Sequence, residues 1–287
     1  MSYRTIALND LTDLVPNILK VFGTGDKIWY RGLASHDFDL EPSAYRSPLF
    51  RQNSKAVEDN TVLEARAFMG HLRGTERLEI DINWFSYMQH FGTATRLLDW
   101  SEDPNVALYF ASRENSRLRG TRSMVPCMWA VKPRKFMQAL GLLVKNTNWP
   151  AGMSTTSKAL LDSFFSNKMP TNSQFIHRFE QTSPGLLDRI YVPFVSSFVN
   201  ERAQAQESCF IRFPLLNGEP SLEYESHRLN QFVLKTSSLA DCFVKFIFLK
   251  PIALREQLKA VFNSEESKNF PEAQALAEKI NRNNFYP

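Results

Sequence analysis

Apolar residues recur at helical spacing along much of the chain. Leu11, Leu14, Val15, Ile18 and Leu19 share one face, which predicts a helix over 9–22, capped by Asn9 or Asp10 and ended by Gly23-Thr24-Gly25-Asp26. Val62, Leu63, Ala67, Phe68 and Met69 predict a second helix over 57–72, and a third is predicted over 83–91, stopping at Gly92. Further helices are expected over 105–112, 136–144, 253–262 and 272–280. Short aromatic and apolar runs predict strands over 28–32, 127–131, 208–213 and 242–249, the second of them fenced by Pro126 and Pro133. Thr93 to Trp100 reads as a turn, and Ser101-Glu102-Asp103-Pro104 as the start of the helix that follows. Residues 145–190 mix polar loops with the apolar patch from Leu160 to Phe165 and suggest an insertion or a lid. Helices and strands interleave without a repeat. The expectation is one α/β or α+β domain over 1–287, with an N-terminal helical segment through residue 26 and helices closing the chain over 250–287.

Composition narrows the class. Of 287 residues, 43% are hydrophobic and 23 are Phe, enough apolar surface for a large core, which excludes a disordered chain. Cys127, Cys209 and Cys242 are odd in number, widely spaced and set in apolar runs, so they read as buried thiols of a reducing compartment. No apolar run approaches the roughly 18 residues of a membrane span, and the first residues lack the basic-then-apolar order of a signal peptide. A soluble cytoplasmic protein without membrane contact is expected. The net charge of +4 is slight, but its distribution is uneven. Arg113, Arg117, Arg119, Arg122, Lys132, Arg134 and Lys135 face only Glu114 within 113–135, a local +6 that leaves the rest of the chain at −2. That strip is either a solvated basic loop or a seat for nucleic acid.

Metal and nucleophile patterns are missing from the sequence. The five histidines are scattered, with no second His or Cys three to five residues away, and GxSxG, GxxxxGKS and GxGxxG do not occur. Three segments instead put polar side chains where apolar ones are expected. Tyr30-Arg31-Gly32 ends a strand with a residue that can fork two hydrogen bonds onto a phosphate or carboxylate, beside a glycine that lets a ligand approach; a structural salt bridge is the plainer alternative. The run from His90 through Thr95, Arg96, Asp99 and Trp100 lies ahead of a helix N-terminus, a natural anion site, although Arg96 and Asp99 could equally pair with each other. Arg202 to Phe210, including Gln206 and Glu207, is polar and enters a strand.

Together these segments resemble the FRG-domain family of bacterial and phage-related proteins. His90 through Ala111 follow that family's H-[FY]-G-x-x-T-R-L-L-D-W-[ST]-x-[DN]-P-x-x-A-L-[YF]-F-A run. Tyr30-Arg31-Gly32 matches its aromatic-Arg-Gly, and Pro42-Ser43-Ala44-Tyr45-Arg46 its proline-serine-x-x-arginine stretch. Arg202, Gln206 and Phe210 match R-x-x-x-Q-x-G-x-F, with Ser208 in place of the usual glycine, and Asn269-Phe270-Pro271-Glu272 with Leu276-Ala277 match a late motif. Through this family the chain also resembles, more distantly, the ADP-ribosyltransferases, which carry an aromatic-Arg strand, a Ser/Thr motif and a late polar or acidic position in that order. The resemblance implies an ADP-ribosyltransferase-like α+β domain, with a split, mostly antiparallel sheet flanked by helices.

It also implies NAD as co-substrate and no metal. Cleaving the nicotinamide-ribose bond passes through an oxocarbenium-like state that a carboxylate steadies. Glu207 is the candidate for that role, with Gln206 and Arg31 beside it as catalytic residues. Tyr30, Arg31, Gly32, His90, Thr95, Arg96, Asp99 and Trp100 are the candidates for holding NAD, with Asp99 orienting Arg96. The acceptor implied is nucleic acid, RNA before DNA, seated on Arg117, Arg119, Arg122, Arg134 and Lys135. A toxin of phage defence controlled by an antitoxin protein would fit. The competing expectations are transfer to protein, a non-catalytic module that binds a nucleotide or phage component, and a metal-independent nuclease.

Overall fold

Cys127 to Val131 has no polar alternation, and in the computed structural model all five residues are buried, as an interior strand covered on both faces requires. The structure describes residues 3–72, 75, 78, 81–112, 125–146, 155–166, 171–182, 184–185, 187–196, 207–216 and 228–261. Among them, eight strands form one sheet: β1 (Arg4–Leu8), β2 (Trp29–Leu33), β3 (Leu97–Ser101), β4 (Cys127–Val131), β5 (Thr171–Asn172), β6 (Val192–Val195), β7 (Ser208–Arg212) and β8 (Phe243–Phe248). Their order is β1-β8-β4-β2-β3-β7-β6-β5. The β1/β8 and β5/β6 pairs at the two edges are parallel, and every pair between them is antiparallel.

The sheet is almost divided at its centre. β2 meets β4 over five residue pairs and β3 meets β7 over five, but β2 and β3 share the single pair Tyr30–Ser101. The expected split, mostly antiparallel sheet therefore takes the form of two well-paired halves joined at one point.

Helices cover both faces. They are α1 (Leu14–Phe22), α2 (Pro48–Gln52), α3 (Ser54–Met69), α4 (Asp81–His90), α5 (Pro104–Ser112), α6 (Pro133–Asn146), α7 (Thr155–Ser166), α8 (Ser173–Thr182), α9 (Leu229–Lys235), α10 (Ser237–Ala240) and α11 (Pro251–Val261). Alternation along the strands sorts the apolar side chains. Tyr30, Met128, Ala130, Val244 and Phe246 pack with α1, α5 and α11. Trp29, Trp129, Val131 and Phe243 face the larger cluster, in which Phe136 of α6 meets Phe243 edge-on at 5.1 Å between ring centroids. No helix among the described residues is long and apolar enough to cross a membrane. The three cysteines are free and buried, and burial pushes the thiols of Cys127 and Cys242 up to about 12.

Several elements depart from expectation. The N-terminal segment begins as the edge strand β1, and α1 starts only at Leu14, after a single 3-10 turn over Leu11–Asp13. Leu97 to Ser101 is not a turn but β3, a strand with four of its five residues buried, where covering on both faces erases the alternation that marks a strand in sequence. The expected insertion or lid over 145–190 contains α7, α8, β5 and a 3-10 turn, and Phe164, Phe165, Ile176, Phe179 and Leu187 belong to the main core. Gly141 lets α7 lie against α6, since a Cβ there would stand 2.6 Å from that of Phe165. The helix expected over 272–280 lies outside the described residues.

Two contacts hold the elements around the β2/β3 joint, one across it and one within the β3-β7-β6 half. The first is at Gly32, where a Cβ would fall 1.7 Å from the Ala107 carbonyl oxygen and 2.6 Å from the Ala111 nitrogen, so the α5 backbone rests directly on β2. The second is a buried ionic cluster around Arg96, which is only 2% exposed. Its Nε donates to Glu58 Oε1 of α3 at 2.6 Å, its Nη1 to the Phe213 carbonyl at 2.8 Å, and its Nη2 to Asp188. Arg212 of β7 also donates to Asp188 and, through its other nitrogen, to Glu180 of α8. Burial alone would raise the Asp188 carboxyl, but the Arg96 and Arg212 guanidiniums outweigh it and hold it far below the usual carboxylate range.

Gly32→Ala is expected to cost about 3 kcal/mol or more, because backbone rather than a flexible side chain opposes the new methyl; denaturant unfolding measures it. Arg96→Ala leaves the buried Glu58 carboxylate without its cation, while Asp188 keeps Arg212, and is expected to cost about 3–5 kcal/mol. Asp188 has a folded-state value below its unfolded one, so its stabilisation is complete above about pH 4 and is lost as the pH falls further. The melting temperature should drop on acidification below that point, and Asp188→Asn should flatten this part of the profile.

Candidate functional site

Where β2 and β3 part, a cavity opens. Continuing their register past Tyr30–Ser101 would set Gly32 opposite Asp99, but no pair forms there. The Asp99 carbonyl accepts instead from Arg31 Nη1 at 2.6 Å, so a guanidinium fills the wedge that the strands leave open. The cavity has a volume of ≈220 Å³. Tyr30, Arg31 and Gly32 of β2, Asp99, Trp100 and Ser101 of β3, and Ser208 of β7 form its floor. Its walls are Gln89 and His90 of α4 and Val106, Ala107 and Phe110 of α5.

Arg31 is the cation of the site. Its Nη1 stands 3.8 Å from Asp99 Oδ2, and its buried Nε has no hydrogen-bond partner in the structure. Burial lowers the guanidinium, Asp99 partly restores it, and Arg46 from the proline-serine-x-x-arginine stretch lowers it again. The site thus pairs a cation with donor capacity to spare and a carboxylate whose side chain is 44% exposed, enough to meet a ligand. Tyr30 is 7% exposed, and burial raises its phenol.

Behind this pair runs a line of hydrogen bonds. Asp99 Oδ2 accepts from Gln89 Nε2 at 2.9 Å, and Gln89 Oε1 accepts from the Thr95 hydroxyl. Thr95 Oγ1 in turn accepts from the Leu97 amide at 3.1 Å. The Thr95 amide donates to Ser43 Oγ at 3.2 Å, and its carbonyl accepts from the Ala44 amide at 3.1 Å, which ties the Pro42–Arg46 stretch to the signature run.

Several expected roles change. Gly32 does line the cavity, but its lack of a side chain serves the packing of α5 rather than the approach of a ligand. Arg96 is not a cofactor residue: it lies outside the cavity, committed to Glu58, Asp188 and Phe213. Arg96 and Asp99 do not pair, since three steps along an extended strand turn their side chains to opposite faces; Asp99 serves Arg31 and Gln89. Thr95, 3% exposed, stands behind the cavity wall, not in it. The Trp100 ring offers no open face for a base, because it packs edge-on against Phe243 in the core. His90 keeps its place in the wall and meets Phe210 edge-on. The anion site expected at the start of α5 is already taken: Asp103 Oδ1 accepts from the Asn105 amide at 2.8 Å, and Ser101 Oγ accepts from the Asp103 amide at 3.0 Å.

Glu207 heads β7, exposed, one residue before Ser208 of the cavity floor. Its carbonyl accepts from the Glu102 amide at 3.2 Å. At φ 44° it is the one non-glycine residue with positive φ among those described, a conformation that costs about 1–2 kcal/mol without a glycine. Gln206 lies outside the described residues, as do Arg117, Arg119 and Arg122. Arg134 and Lys135 sit in the first turn of α6, which packs through Phe136 on the opposite face of the sheet from α5. They are therefore not beside the cavity wall that α5 builds.

Gln89 and the α5 residues Val106, Ala107 and Phe110 were not singled out in the sequence. The sequence does not mark Gln89, since Asn83 and Ser86 on the same helix are as polar; its partial burial beside Asp99 does so only in the folded chain.

Comparison with known proteins gives one match. No curated protein and no solved structure matches the chain. A family model does, over the stretch that holds β2, the line from Thr95 to Asp99, and the helix that closes the cavity: residues 26–119 match the FRG domain.

Proposed function

We propose that the seam cavity binds NAD and that the protein is an ADP-ribosyltransferase whose acceptor is nucleic acid, RNA before DNA. As a toxin of this kind it would block phage propagation or cell growth and be held in check by an antitoxin protein. One observation carries the reading. Three segments far apart in sequence meet at one cavity: Tyr30-Arg31-Gly32, the run from His90 to Ser101, and Ser208, the residue after Glu207, in the order of an aromatic-Arg strand, a Ser/Thr motif and a late acidic position, with Glu207 itself one residue outside the cavity lining.

The cavity suits a fragment of the dinucleotide. At ≈220 Å³ it is smaller than the roughly 300–1,000 Å³ usual for small-molecule sites, so a ring and its ribose fit while the rest extends over the rim. The apolar wall of Val106, Ala107 and Phe110 suits a flat ring. The spare donor capacity of Arg31 suits a phosphate or ribose oxygen, and Asp99 a hydroxyl. In the reaction, nicotinamide leaves with the electrons of its bond to the ribose, and the acceptor bonds to the same carbon and gives up a proton. A carboxylate steadies the positive charge between these events and takes the proton, and Glu207 is the residue we assign to it. The basic run that begins at Arg113 follows α5 directly, which favours a polyanionic acceptor.

Incubation with labelled NAD and total RNA, DNA or protein tests this reading. Nicotinamide release and label on RNA are expected. Arg31→Ala and Glu207→Gln should each lower release by about a hundredfold with the fold retained. If the protein binds a nucleotide without nicotinamide release, it is a recognition module, a reading that the small cavity also favours. Reversing Arg117, Arg119 and Arg122 to glutamate should reduce transfer to RNA far more than nicotinamide release; equal losses would remove the electrostatic case for a nucleic-acid acceptor.

A further inference from the structure

The line from Thr95 to Arg31 has only one self-consistent arrangement of protons. Thr95 Oγ1 already accepts from the Leu97 amide, and its one hydroxyl proton is directed to Gln89 Oε1. The Gln89 amide is thereby turned so that its NH2 group faces Asp99 and Leu97, donating to Asp99 Oδ2 at 2.9 Å and toward the Leu97 carbonyl at 3.4 Å. The reverse orientation would set an amide oxygen against the carboxylate, with no proton between them. Asp99, fixed on one oxygen, then stands 3.8 Å from Arg31 Nη1, while its carbonyl holds the same nitrogen at 2.6 Å.

We propose that Thr95 and Gln89 are positioning residues, which orient the Asp99 carboxylate and through it the Arg31 guanidinium that meets the ligand. Thr95 touches no ligand. Its own place is set by Ser43 and Ala44, so the proline-serine stretch acts on the site through it. The proposal rests on the seam cavity being the ligand site, but the state of Arg31 can be read without any ligand.

The experiment compares the full-length wild-type chain with Thr95→Val, Thr95→Ser, Gln89→Ala and the Thr95→Val/Gln89→Ala double variant, with thermal melting as the fold control. Proton–nitrogen NMR of the ligand-free protein follows the Gln89 side-chain amide and the Arg31 Nε–H. The Arg31 resonance should move in Thr95→Val and in Gln89→Ala, and should stay near its wild-type position in Thr95→Ser. NAD affinity should fall about tenfold in each of the first two, with the double variant no weaker than either single one, because both break the same line. An Arg31 resonance that stays in place in Thr95→Val and Gln89→Ala, or NAD losses that add, overturns the proposal. Where the wild type binds no NAD, the function proposed above fails, and the ligand-free resonances alone decide this one.

Discussion

The α5 backbone lies on β2 at Gly32, and the rest of the site follows from that contact. A helix that close leaves no room for any side chain on the strand beneath it. It brings Val106, Ala107 and Phe110 over the point where β2 and β3 diverge, so the sheet's weakest joint becomes the floor of a walled cavity. The opening between the strands is not left as unmatched backbone. Arg31 supplies the hydrogen bond that the Asp99 carbonyl would otherwise lack, as an interior sheet demands of every buried polar group.

Two arginines five residues or fewer from the strand joint do opposite work. Arg96 is saturated, with two carboxylates and a carbonyl around it, and binds α3, the residues after β7 and the turn at Asp188 into one body. Arg31 is held at one nitrogen, has a buried Nε without a partner, and lines the cavity. The two differ in partners and in exposure, the Arg31 side chain being 20% exposed and that of Arg96 2%. A saturated guanidinium contributes to stability, and an unsaturated one is available to a ligand.

The polar residues of the signature run divide in the same way. Asp99 and His90 face the cavity, Thr95 stands behind it, tied to Ser43 of the proline-serine stretch, and the Trp100 ring packs into the core. A single dense motif thus encodes a contact layer, a supporting layer and part of the hydrophobic interior. Ser208, opposite Ser101 in the β3/β7 register, puts a hydroxyl on the cavity floor where the resembling family usually carries glycine.

The sequence by itself determined most of the elements and the segments that matter. Helical spacing located α3, the cap and early proline of Ser101 to Pro104 located α5, apolar runs located β2, β4, β7 and β8, and polar residues in apolar surroundings marked Tyr30–Gly32 and His90–Trp100. Periodicity is a local property, and it fails where burial on both faces removes it, as at β3. Only the tertiary structure decided which polar residue does what. Whether Arg96 or Arg31 meets a ligand depends on Glu58 and Asp188, 38 residues before and 92 after Arg96. The role of Gly32 depends on Ala107 and Ala111, and that of Thr95 on Gln89. Each assignment turns on a partner brought close by folding, which no spacing along the chain records.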